Sequence, residues 1–390
     1  MILARHPDLV HFALAVGGFA IGTTEFATMS LLPYFARDLG ISAPTAGHVI
    51  SAYALGVVLG APLIAVLAAR IARRTLLMGL MLVFALANGL TGLAPSYHWM
   101  LFLRFVSGLP HGAYFGVAML VAASLVPGEK RAQAAARVLM GLTVATIIGV
   151  PCANWLGQAI GWRWGFGIVA ALSLLTAILV ALFAPHQPPE KGASPLRELG
   201  ALKNRDVLLT LAIGAIGFGG LFTVYTYLAD TLLAVTRVKE SLVPLVFAVF
   251  GAGMMTGLVV VPRFAHGKLM WTAGWLLLWF AATLALYTFA VDNIWTIMLS
   301  VFAIGLGGAL GPILQTRLMD VAGEAQTLAA ALNHSAFNVA NALGPLLGGI
   351  AIAQGHGLAS TGLVGSGLAL AGLAIWAFAL KTQASKIRHQ

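Results

Sequence analysis

Two ionisable side chains sit where charge is costly. Glu25 lies in the run GGFAIGTTEFATMSLLP and Arg104 in LRFVSGLPHGAYFG, both otherwise almost free of charge. A carboxyl withdrawn from water holds its proton more tightly than one in solution, which suits it to bind and release a proton near neutral pH. None of Glu25's helical neighbours at i−3, i+3 and i+4 (Gly22, Thr28 and Met29) neutralises it. The chemistry it offers is proton carriage; the alternative is a permanently protonated hydrogen-bond donor between helices. A guanidinium cannot shed its charge, so Arg104 has to be paired, hydrogen-bonded or hydrated. It either holds Glu25 ionised in one conformation and leaves it protonatable in another, or it bonds helix-end carbonyls and stabilises the bundle. At helical spacing Ser107, Gly108 and His111 share the face of Arg104, and Gly112 and Gly116 extend it as a ridge of small residues that favours close helix approach. His111 suits either a proton relay, since the free imidazole titrates near pH ~6.5, or a neutral interhelical hydrogen bond.

Other candidates are polar or aromatic stripes. His334, Asn338, Asn341 and Pro345 follow one another at steps of four, three and four, so they line one side of a helix, facing either a hydrated cavity or a neighbouring helix. Phe218, Phe222 and Tyr225 share a face, with Tyr227 nearby and Asp230 toward the helix end. Such a face can hold an amphipathic or cationic ligand, or simply pack. Enzymatic chemistry has no footing: the loops are short and lack paired acids, clustered metal ligands, a nucleophile with its base, or a phosphate-binding GxxxxGK[ST] segment. Cys152 is the single cysteine, which excludes a disulfide framework and a cysteine metal site. No cofactor and no metal are expected.

The elements that hold these residues follow from composition. Of 390 residues, 60% are apolar and 9% charged, against about 45–50% and about 25% in soluble domains. Mean hydropathy is +0.93, and 45 glycines and 16 prolines punctuate long apolar runs. The chain reads as an all-α membrane protein rather than a β-barrel, which would alternate in short segments. Spans of about 20 apolar residues fall at roughly 10–35, 45–68, 75–94, 98–123, 137–157, 163–184, 207–233, 242–262, 269–290, 294–317, 326–353 and 358–380. With the N-terminus in the cytoplasm, 17 of the 22 Lys and Arg residues lie on inner loops and termini, four lie on outer loops, and Arg104 lies within a span. That bias predicts cytoplasmic N- and C-termini in an inner membrane. The same inner segments hold seven acids, so the formal net charge of +10 resides on the cytoplasmic face and signals orientation rather than nucleic-acid binding. The longest polar interruption predicts a cytoplasmic linker at 186–205 between six-helix bundles at 1–185 and 206–390. Weak repetition agrees: Ala145, Gly149 and Pro151 recur as Ala340, Gly344 and Pro345. Two such bundles around a midplane path suit a rocking transporter.

Several segments are recognisable. GTTEFATMSLLP (22–33), AGHVISAYALGVVLGAPL (46–63), RFVSGLPHGAYFG (104–116), GWRWGF (161–166) and AFNVANALG (336–344) resemble the major facilitator superfamily, in particular its drug:proton antiporter branch, which includes the AraJ-type arabinose-efflux permeases. The resemblance covers nearly the whole chain and implies a bacterial proton-coupled exporter of a small organic solute, a drug, sugar or sugar-like metabolite; the fold gives no reason to require more than a monomer. It implies that Arg70, Arg73 and Arg74 occupy the basic positions of the family's gating loop, which here carries Ala69 at the acidic position and Ala65 and Ala72 at glycine positions. It further implies that Arg104, Gly108 and Gly112 form the helix-4 motif associated with proton transfer. Gly149 and Pro151 are similar to an interrupted antiporter motif, and Gly344 and Pro345 open a fuller GPxxGG. An uptake symporter, a uniporter, a membrane-embedded enzyme and a non-transporting sensor are the alternatives.

Overall fold

A computed structural model of the chain describes residues 7–67, 71–127, 131–186, 204–264, 268–322 and 326–388. Among the described residues, twelve helices are long and apolar enough to cross a membrane. They are α1 (Pro7–Ser30), α2 (Ala43–Ile64), α3 (Arg73–Gly92), α4 (Tyr97–Ser124), α5 (Ala136–Ile160), α6 (Arg163–Phe183), α7 (Arg205–Ala234), α8 (Glu240–Phe264), α9 (Leu269–Ala290), α10 (Ile294–Val321), α11 (Leu332–His356) and α12 (Ser360–Thr382). Large apolar side chains such as Leu86, Phe289, Trp295 and Leu299 face outward, the inverse of a water-soluble surface and the arrangement lipid demands. Helices are the form a water-free hydrocarbon layer demands, because they bond their own backbone polar groups. Hydroxyls turn inward in the same way: Thr91 donates to the Ala87 carbonyl and Ser173 to that of Val169, each at 2.7 Å.

Breaks in the helices have local causes. The span predicted to run to residue 35 stops at Ser30, and a separate short helix, Leu32–Asp38, follows. Pro33 has no N–H to continue the ladder, and the Ser30 carbonyl freed at this end accepts from Asn154 Nδ2 of α5 at 2.7 Å. In α5 a one-turn π-helical widening covers Ala145–Gly149, separated from Pro151 by Val150 alone. α7 bends at Phe218 between two glycines, and α10 tightens into a 3₁₀ turn at Gly307–Ala309. Asn204 and Asn293 cap the starts of α7 and α10, their side-chain oxygens accepting from the amides of Asp206 and Trp295 at 2.9 and 2.8 Å.

The chain divides into two compact units, Met1–Ile41 with Ala52–Pro195, and Ser42–Ser51 with Leu196–Gln390. Most of the predicted linker, residues 187–203, lies outside the described residues. Within the first unit α1 packs on α5 and α6, and α3 on α4 and α6; within the second, α7 packs on α11 and α12, and α9 on α12. Glycines set the tightest pairings. A Cβ on Gly56 or Gly60 of α2 would overlap the Phe105 or Leu109 carbonyl of α4, and one on Gly253 or Gly257 of α8 would overlap the Phe302 or Leu306 carbonyl of α10. The same pairing therefore recurs in each unit, 197 residues apart in the chain.

Candidate functional site

Charge, ring and imidazole meet inside the first unit. Gly108 of α4 abuts the Tyr53 carbonyl of α2, so closely that a Cβ there would overlap it. That approach seats the Tyr53 side chain between Arg104, one turn before Gly108, and His111, one turn after. The guanidinium carbon of Arg104 lies 4.1 Å from the centroid of the Tyr53 ring and 5.7 Å from that of Phe166 of α6, a cation stacked on aromatic faces. The Tyr53 hydroxyl is hydrogen-bonded to His111 Nδ1 at 2.8 Å. Arg104 Nη1 donates to Thr24 Oγ1 at 3.0 Å, and Thr24 donates to Asn88 Oδ1 of α3 at 2.7 Å. Asn88 Nδ2 in turn donates to the Phe84 carbonyl at 2.9 Å.

Glu25 belongs to this cluster. Its side chain is 6% exposed and Arg104 is fully buried, and Glu25 interacts electrostatically with both Arg104 and Tyr53. Arg104 Nε and Nη2 make no hydrogen bond, so the guanidinium keeps donor capacity for a carboxylate. The ridge of small residues is shorter than the spacing suggests: Gly108 and Gly112 are pressed against α2, whereas nothing lies near Gly116.

Sequence reasoning singled out Glu25, Arg104 and His111 and missed Tyr53, Thr24, Asn88 and Phe166. Thr24 adjoins Glu25 in the chain, and adjacent residues point to different helix faces, yet it reaches Arg104 on another helix. Asn88 did carry a signal, as a lone amide in the apolar run LMLVFALANGL.

In the second unit Asn338 and Asn341 are buried. Asn338 Nδ2 donates to the His334 carbonyl at 3.0 Å, while its Oδ1 has no hydrogen-bond partner. Phe218, Phe222 and Tyr225 are buried among other rings: Phe218 lies 5.6, 5.6 and 4.5 Å, centroid to centroid, from Phe222, Phe280 and Phe337. Tyr225 lies 5.1 and 4.6 Å from Phe247 and Phe250. The predicted gating positions take three settings. Arg70 lies outside the described residues, while Arg73 and Arg74 begin α3. Arg74 donates from Nη2 to the Ala181 carbonyl in the last turn of α6 and contacts His186 Nδ1 at 3.5 Å, placing a cation at a helix C-terminus. Gly149 abuts Thr23 of α1, and Gly344 abuts Gly219 and Thr223 of α7; the Pro345 carbonyl accepts from the Tyr227 hydroxyl at 2.7 Å. At the far end of α1 from Asp8, Arg163 and Trp162 hydrogen-bond Asp38. The Arg163 bond in particular holds that carboxyl below the usual carboxylate range. Among the described residues no three His, Cys, Asp or Glu side chains converge to hold a metal.

The family model for the Major Facilitator Superfamily matches residues 14–272. The chain is 41% identical over 349 residues to the inner membrane transport protein YdhP of Escherichia coli strain K12, covering 88% of this chain and 89% of that protein. It is 36% identical over 359 residues to a chloramphenicol resistance protein of Streptomyces lividans, covering 90% of each. A crystal structure of a mutant of the nucleoside transporter NupG superposes with a TM-score of 0.79 at 13% identity, over 96% of this chain and 100% of that one.

Proposed function

Since the chain belongs to the Major Facilitator Superfamily, and is thereby a multi-pass membrane transporter rather than an enzyme, we propose that it exports a small organic solute in exchange for protons. The observation that carries this reading is Glu25, an acid buried in α1 and electrostatically engaged with a buried Arg104. Glu25 takes up a proton from the outer side and releases it inward. Arg104 steadies the ionised form, because a buried carboxylate persists only with a counter-charge or strong donors. Binding and release of substrate and proton at opposite faces of the membrane follow an alternating-access cycle. The proton gradient is the energy source, and moving one charge through 100 mV supplies about 2.3 kcal/mol.

Export rather than uptake is supported by the relative named for chloramphenicol resistance. An inner-membrane location with both termini cytoplasmic is supported by the relative named an inner membrane transport protein and by the 17 basic residues on the inner segments. The substrate is a drug, sugar or sugar-like metabolite held by the amide and aromatic side chains of the second unit, Asn338 and Asn341 foremost, and the carrier acts as a monomer. The test is a panel of toxic compounds, chloramphenicol included, and sugars such as arabinose, on cells with the wild type, without it, or with Glu25→Gln. The wild type raises tolerance to at least one compound and Glu25→Gln loses that protection. Equal tolerance in all three strains across the panel counts against export.

A further inference from the structure

We propose that Tyr53 is a positioning residue that couples His111 to the Arg104–Glu25 pair, so that the protonation state of His111 is felt at the proton-carrying carboxyl. The inference rests on the reading of Glu25 as the proton carrier. Its basis is that one side chain makes two contacts of different kinds. The ring face of Tyr53 carries the Arg104 guanidinium at 4.1 Å, and its hydroxyl holds His111 Nδ1 at 2.8 Å. All three groups are at most 2% exposed, so no bulk water competes for these contacts, and electrostatic links in such surroundings are stronger than in solvent. The arrangement is built into the packing. Gly108 draws the α2 backbone onto α4 at Tyr53 itself, and Arg104, Gly108 and His111 lie at i, i+4 and i+7 along α4, one above another.

The chemistry of the link is a reversal of donor and acceptor. With His111 Nδ1 unprotonated, the Tyr53 hydroxyl donates to it; when Nδ1 carries a proton, the imidazole donates and the tyrosine oxygen accepts. The hydroxyl dipole thus reverses at the edge of the ring on which the Arg104 guanidinium rests, and the same guanidinium donates through Nη1 to Thr24, the residue next to Glu25. Among the described residues, the titratable and charged groups recorded against Tyr53 are Glu25 from α1 and Arg104 and His111 from α4. The neighbouring helices α3 and α6 contribute Asn88 and Phe166 to the cluster, neither of which titrates.

The test needs no substrate. Full-length protein in liposomes is titrated between about pH 5 and about pH 9, and infrared difference spectra follow the protonated-carboxyl band, assigned to Glu25 by its disappearance in Glu25→Gln. Tyr53→Phe keeps the ring beneath Arg104 and removes only the hydroxyl, and His111→Gln breaks the link from its other end. Each single variant shifts the Glu25 midpoint in the same direction, by at least about threefold in proton affinity, and the double variant shifts it no further than the larger single, as expected for two residues acting through one bond. A midpoint unchanged in Tyr53→Phe, or shifts that add in the double variant, overturns the proposal. If Tyr53→Phe does not assemble, an unchanged midpoint in His111→Gln overturns it equally. A wild-type Glu25 band that does not titrate removes the proton-carrier reading itself and the coupling with it, an outcome distinct from a titrating band that ignores Tyr53.

Discussion

A buried guanidinium is tolerated only as well as its surroundings are arranged. Arg104 has two aromatic faces, one threonine hydroxyl and an acid within electrostatic reach. Thr24 is the narrowest of these supports, because its hydroxyl accepts from Arg104 and donates to Asn88. Thr24→Val keeps the shape and removes both bonds, leaving buried donors and acceptors unmade. Hydrogen bonds to charged groups are worth about 1.5–3 kcal/mol, and the variant should unfold at lower temperature by a corresponding margin in detergent, with its helical content at room temperature intact. An unchanged melting temperature would show that Arg104 is held without Thr24. At this scale the sequence discloses costly residues and not their partners. Glu25 and Arg104 stand out because charge is rare in apolar runs. Tyr53 does not, because a tyrosine in a membrane helix is ordinary and its importance comes from Gly108 on a different helix.

Helix pairing in this molecule is governed by where a side chain is missing. Hydrophobic burial does not drive helices together in lipid, so close backbone approach and packing do. Gly108 and Gly116 lie on the same helix and make opposite predictions. A methyl group at Gly108 collides with the Tyr53 carbonyl, and one at Gly116 meets open space. Gly108→Ala should therefore destabilise the protein by about 1–3 kcal/mol, the usual cost of overpacking. Gly116→Ala should be neutral or slightly stabilising, since alanine favours a helix over glycine by roughly 0.5–1 kcal/mol. Thermal melts of the two purified variants side by side decide it, and equal losses would sink the distinction. The helices themselves were largely legible: all twelve predicted spans are present, with ends moved by a few residues. α1 ends short of the predicted residue 35 because Pro33 interrupts an otherwise continuous apolar run, and the Ser30 carbonyl at that end is met by Asn154, a partner more than a hundred residues away.

At the scale of the whole chain the two units repeat one internal plan while their buried polar groups differ. In the first, the cluster around Arg104 contains an acid, a guanidinium, an imidazole and a phenol; in the second, the buried stripe on α11 is made of amides. That contrast is the ground on which we propose proton carriage for α1 and α4 and solute binding for α7 and α11. In the sequence Gly149 and Gly344 give only a weak hint of repetition; the stronger signal, Gly56 and Gly60 returning as Gly253 and Gly257, emerges once the carbonyls that they approach are known. Proton coupling through Glu25 is the claim on which the mechanism depends. Its most direct measurement is flux in proteoliposomes, using a compound whose tolerance in cells depends on the protein, with an imposed pH gradient as the only driving force. The wild type should accumulate the compound against its concentration gradient and Glu25→Gln should not, while passive exchange of the compound in the absence of a pH gradient persists in the variant. Accumulation by Glu25→Gln that still depends fully on the pH gradient would contradict the claim.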